Sequence, residues 1–87
     1  MLNVVLRLLR ISQDLSIREL SDKMKISSSY ISDIERAVKK PSLDVIGKYS
    51  DALGVSKATI LYFEEECQRT QYTYQELLLK MLQKISV

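Results

Sequence analysis

Ser28, Ser29, Ser32, Asp33 and Arg36 fall at spacings i, i+1, i+4, i+5 and i+8. On a helix these positions share one face. Short polar side chains let a helix backbone approach its target closely, whereas a merely solvated face more often carries long Lys and Glu. The chemistry open to this face is hydrogen bonding to base edges in a duplex groove. Serine hydroxyls donate and accept but discriminate weakly, leaving room for readout of duplex shape. Asp33 can accept from a cytosine N4 amino group and repels phosphates, which favours selectivity over raw affinity. Cations flank the face: Lys39 and Lys40 are the one adjacent basic pair, and Arg18 lies upstream. With Arg36, they can neutralise phosphates and set register. The plainer alternative is an ordinary solvated face.

The elements around this face are legible from their caps and apolar spacing. Ser16 and Glu19 form a capping box, and Leu15 and Leu20 stand where a hydrophobic staple would sit. They predict a helix over about 17–24, with Leu20 and Met24 inward. Lys25–Ile26–Ser27 is then a tight turn. Lysine at its left-handed position costs on the order of 1 kcal/mol against glycine. Ile26 plugs the gap between helices, and Ser27 can cap a helix over about 28–36 with Ile31 and Ile34 inward. Helix, turn and helix in this order are the grammar of a helix-turn-helix motif.

Upstream, Leu2 to Gln13 reads as a helix with two apolar stripes, Leu2–Val5–Leu6–Leu9 and Val4–Leu8–Ile11. One stripe packs the core, and the second must meet something else. Ala37 to Pro41 is a basic loop. Ser42 caps a helix over 43–53, with Leu43, Ile46, Tyr49 and Leu53 inward and Gly54 terminating it. Ser56 caps the next helix, which reaches as far as Arg69, with Ile60, Leu61 and Phe63 packing back. A polar break over 68–73 precedes a second capping box, Thr73 and Glu76. The strongest amphipathic stripe in the chain follows: Tyr74, Leu77, Leu78, Met81, Leu82 and Ile85. A helix of this length is not stable alone in water, so its stripe must be buried against the body or a second copy.

Eighty-seven residues with two Gly, one Pro and 28% charged side chains favour a single small all-helical domain. Formal net charge is +2, and the basic excess sits in residues 1–62 while residues 63–87 are slightly acidic. A metal or catalytic site is not indicated. The chain has no His, a single Cys67, no glycine-rich phosphate loop and no metal-ligand spacing. Glu64, Glu65 and Glu66 are consecutive and splay around a helix. No cofactor is expected. The single cysteine fits a reducing cytoplasm. The N-terminal stretch is interrupted by Asn3, Arg7 and Arg10 and does not read as a signal peptide. No apolar run approaches the ~20 residues of a membrane span.

Residues 6–62 resemble the Cro/C1-type (XRE-like) helix-turn-helix regulators. The resemblance rests on Leu6–Leu9–Arg10, Leu15–Ser16, Leu20, Ile26–Ser27, Tyr30–Ile31–Ser32, Ile34–Glu35–Arg36, Pro41–Ser42–Leu43 and Ala52–Leu53–Gly54–Val55–Ser56. It implies a five-helix, lambda-repressor-like domain over residues 1–66. Residues 67–87 would be an added amphipathic extension. It also implies a partly buried ion pair between Arg10 and Glu35, base contacts from Ser28, Ser29, Ser32 and Asp33, and phosphate contacts from Tyr30, Arg36 and Lys39. Three positions depart from the family pattern. Ile17 replaces a glutamine that donates to a phosphate, leaving Arg18 as the substitute, while Lys25 and Ala37 replace glycines.

The expected function is a cytoplasmic, sequence-specific regulator of transcription. It would bind double-stranded DNA as a homodimer and act as a repressor on a pseudo-palindromic operator. The dimer contact is expected on Tyr74, Leu77, Leu78, Met81, Leu82 and Ile85, seated against the second stripe of the first helix. The alternative is that this last helix folds back on its own subunit. A different class remains open, an antitoxin or anti-repressor type of module whose main partner is another protein.

Overall fold

Caps set the helix boundaries. In a computed structural model that describes residues 2–70 and 73–85, the elements are α1 (Leu2–Ser12), α2 (Ile17–Met24), α3 (Ser28–Glu35), α4 (Leu43–Leu53), α5 (Lys57–Thr70) and α6 (Tyr74–Ile85). The chain is all-helical among the described residues. The capping box of α2 is complete: Ser16 Oγ accepts from the Glu19 N–H, and Glu19 Oε1 accepts from the Ser16 N–H, both at 3.0 Å. Ser27, Ser42, Ser56 and Thr73 cap α3 to α6 in the same way, each hydroxyl accepting the amide three residues on. Gly54 ends α4 at φ +65°. Three side-chain-bearing residues also adopt left-handed backbone: Asp14, Lys25 and Ala37.

α1 is the central strut, packed against α3, α4, α5 and α6. That explains its two stripes. Val5, Leu6 and Leu9 are fully buried, Leu8 is buried, and Leu2 and Val4 are partly buried against the same core. Ile11 stays exposed. The core continues through Leu20, Ile31, Ile34, Tyr49, Ile60 and Phe63.

α6 belongs to this core. It packs on α1 and α5 of its own chain, and Leu77 and Met81 are 0% exposed. Leu78 is half-buried, and Leu79 and Leu82 are exposed. The side chains of Tyr74 and Ile85 lie outside the described residues. The domain boundary expected between residues 66 and 67 falls inside α5, which runs unbroken to Thr70 with Cys67 buried. Residues beyond this boundary supply Cys67, Leu77 and Met81 to the core.

Two further expectations are corrected. Leu43 is 84% exposed, and Val45 takes its place in the core beside Ile46 and Tyr49. Leu43 is the first residue of α4, ahead of the turn that meets the body. Leu61 is exposed while Ile60 and Phe63 are buried.

Candidate nucleic-acid interface

The α2–α3 turn is fixed from inside. Lys25 takes the left-handed conformation, and its N–H bonds the Ser21 carbonyl at 2.8 Å. The Ser21 hydroxyl donates to the Ile26 carbonyl. Ile26 packs partly buried against the core. α3 then starts at a defined angle with its outer face toward solvent. Ser28 and Ser29 are exposed, and Ser32 is half-exposed. Ile31 and Ile34 are fully buried on the opposite side.

The far end of α3 is clamped to α1. Arg10 Nε and Nη2 reach Glu35 Oε2 and Oε1 at 2.8 and 2.9 Å, a bidentate pair. Its side chains are only 12% and 5% exposed. The hydrogen bonds that Arg10 donates to Glu35 hold the pKa of its guanidinium above the ordinary value, against the opposing pull of burial. Arg10 Nη1 also donates to the Leu15 carbonyl at 2.7 Å, so one guanidinium joins α1, the α1–α2 connection and α3. Asn3 adds a longer contact, from Nδ2 to the Glu35 carbonyl at 3.4 Å. In the sequence Asn3 stands out only as a polar interruption of the apolar N-terminal stretch. Its partner is a main-chain oxygen, which leaves no side-chain signature.

Four of the residues named for DNA contact come together in one cluster. The Asp33 carboxylate pairs with Arg36 Nη2 at 2.8 Å and with Lys39 Nζ at 3.7 Å. Lys39 Nζ also lies over the Tyr30 ring, 5.3 Å from its centroid. The Asp33 carbonyl accepts from the amides of Val38 and Lys39 at 2.8 and 3.2 Å, wrapping the loop around the end of α3. Ala37 makes this wrap possible by taking φ +61°.

The remaining candidates stand apart. Arg18 is exposed on α2, and Ile17 before it is partly buried against the core. Lys40 is exposed and lines a shallow cavity of about 390 Å³ with Leu2, Asn3, Ala37, Lys39, Pro41 and Glu64. Among the described residues no group of three or more His, Cys, Asp or Glu side chains is placed to hold a metal ion. Also among them, no helix is long and apolar enough to cross a membrane.

A short helix, a left-handed turn and a second helix with its polar face outward, braced by the four other helices, define a helix-turn-helix domain. The family model described as "Helix-turn-helix" matches residues 6–60, and the chain belongs to this family, in its Cro/C1 (XRE) branch. The family is one of DNA-binding regulators of transcription. The chain is similar to the transcriptional regulator ClgR of Mycobacterium tuberculosis, at 39% identity over 57 residues, covering 66% of this chain and 51% of that protein. It is similar to an uncharacterized HTH-type transcriptional regulator of the same organism, at 43% over 47 residues, covering 54% of this chain and 33% of that one. It therefore spans between a third and half of the length of these relatives. Control protein C.BamHI of Bacillus amyloliquefaciens is 41% identical over 58 residues, covering 66% of this chain and 72% of its own length. Among solved structures, the clp gene regulator ClgR from C. glutamicum superimposes with a TM-score of 0.67 at 33% identity, over 70% of this chain and 79% of that one.

Proposed function

We propose that this protein is a sequence-specific transcriptional regulator that represses as a homodimer, laying α3 of each subunit into the major groove of a pseudo-palindromic operator. The observation that carries the reading is the outward face of α3. It presents Ser28, Ser29 and Ser32 on a helix clamped to α1 by the Arg10–Glu35 pair, with Arg36 and Lys39 gathered at Asp33 beside it. The serines would meet base edges, and the cations, with Arg18, would meet phosphates. The printed names of the relatives, transcriptional regulators and a control protein, support the same class. Such a regulator works where chromosomal DNA is exposed to it, in the cytoplasm.

The homodimer is supported by the small size of one reading surface, which calls for two half-sites about 34 Å apart. It is also supported by large apolar side chains that remain exposed: Leu43, Leu61, Leu79 and Leu82. Leu77 and Met81 are already occupied within the subunit, so they are not free to face a second copy.

In-vitro selection of duplexes by the full chain tests the proposal. The expected product is an inverted repeat with half-site centres about 10 base pairs, or a multiple of one helical turn, apart. Recovery of a single unrepeated half-site overturns the dimer. Recovery of no motif at low salt overturns the DNA reading and favours a protein as the main partner.

A further inference from the structure

Asp33 is the one acid on the outward face of α3, and its carboxylate is already engaged. Arg36 holds it at 2.8 Å and Lys39 at 3.7 Å. It is also the side chain through which the two cations are gathered. Without Asp33, Arg36 would hang from the end of α3 as a long exposed side chain, and Lys39 would keep only the Tyr30 ring. The Asp33 main chain meanwhile holds the loop by accepting the Val38 and Lys39 amides, a task that does not depend on the carboxylate. The residue therefore has a separable electrostatic role at the edge of the reading face.

We propose that Asp33 is a specificity-determining positioning residue, a latch that partly neutralises Arg36 and Lys39 and aims them, so that the protein grips duplex backbone weakly unless α3 is seated in its operator. The inference rests on the DNA-binding reading above. Phosphate contacts carry affinity without sequence information. A cation already paired to a neighbouring carboxylate gains less from an arbitrary phosphate. Only a correctly docked helix presents phosphates at the geometry that draws both cations off Asp33 together. The latch thus lowers binding everywhere and lowers it least at the operator. It differs from base reading by Asp33, which would act at one base pair. It also differs from bulk repulsion, which would not need Arg36 or Lys39.

The test is fluorescence anisotropy of the full chain on a labelled random-sequence duplex and on the selected operator, across a salt series. Five proteins are compared: wild type, Asp33→Asn, Arg36→Gln/Lys39→Gln, the triple variant, and Asp51→Asn on α4 as a charge-matched control. Asp33→Asn is expected to bind random duplex about three- to tenfold more tightly at low salt and to steepen the log K against log salt slope by about one phosphate contact. The operator gains less, so discrimination falls. Asp51→Asn leaves the slope as in wild type. In the Arg36→Gln/Lys39→Gln background, Asp33→Asn gives no gain, because the latch has nothing to hold. An equal gain in that background overturns the latch in favour of repulsion. A loss confined to one operator base pair, with random-duplex binding unchanged, overturns it in favour of direct readout. If wild type binds no duplex at low salt, the DNA reading itself fails and takes the latch with it.

Discussion

Arg10 and Glu35 lie 25 residues apart in sequence and meet through two parallel hydrogen bonds of 2.8 and 2.9 Å. The pair ties the strut helix of the domain to the last turn of α3. The orientation of the outward serines is therefore set by α1 as much as by the turn before them. A nearly buried charge of this kind is costly when its partner is removed.

Arg10→Met or Glu35→Leu alone is therefore expected to destabilise the fold by about 3–5 kcal/mol, while the double variant recovers most of the loss. Urea unfolding of the three variants, read by circular dichroism, checks this. A double variant that loses the sum of the two single losses would mean that the pair does not act as a unit.

Leu77 and Met81 are expected to behave as core. Leu77→Ala and Met81→Ala should each cost about 2–5 kcal/mol. Leu79→Ala, on the exposed side of the same helix, should leave the folding stability of the subunit within about 0.5 kcal/mol. A chain stopped after Thr70 should lose cooperative thermal unfolding, because α1 would be stripped of its cover. Thermal scans decide, and light scattering on the three alanine variants shows which of them changes the mass of the assembly.

Tyr49 is fully buried, and its hydroxyl meets no hydrogen-bond partner among the described residues. Tyr49→Phe is expected to stabilise by about 1 kcal/mol, raising Tm by roughly 4–8 °C for a domain of this size. Burial, and then the negative charge of Glu35, push the phenol above its ordinary value. A phenol harder to ionise when folded gives stability that is intact below its unfolded value, near about 10, and is lost as pH rises beyond it. Tyr49→Phe should remove that alkaline loss, measured as Tm against pH from 8 upward, to about 11.

Lys25 and Ala37 hold left-handed backbone at φ +57° and +61°. Lys25→Gly and Ala37→Gly should each stabilise by about 0.5–1 kcal/mol, since the relief of backbone strain exceeds the added chain entropy of glycine. Differential scanning calorimetry reads the change. A loss at Ala37 alone would show that its side chain packs against the cavity it lines.

Arg18, Lys40 and Ser29 separate affinity from sequence reading. Arg18→Gln and Lys40→Gln should weaken binding uniformly across sequences and lower the salt slope by about one each. Ser29→Ala should change preference at one base pair with the slope unchanged. Repeating the in-vitro selection with each variant distinguishes the two patterns.

The sequence by itself determined the helices and the class. Serine and threonine caps, the Ser16–Glu19 box and Gly54 mark where α2 to α6 start or where α4 stops, because capping acts within four residues. The Cro/C1 pattern over residues 6–62 determined the helix-turn-helix in the same local terms. What only the tertiary structure decided depends on which surfaces face each other. The stripe of α6 could equally cover its own α1 or a second copy, since an apolar face carries no address. The fold places Leu77 and Met81 against their own chain. Leu43 has the right type for the core, but it stands at the first position of α4, where no neighbour reaches it. Spacing placed Asp33 on the reading face with Arg36 three residues on, but it did not show Lys39 as a second partner. That contact comes from the left-handed turn at Ala37, which folds Lys39 back toward the carboxylate. A loop conformation of that kind is set by the packing on both sides of it, and helical periodicity carries no record of it.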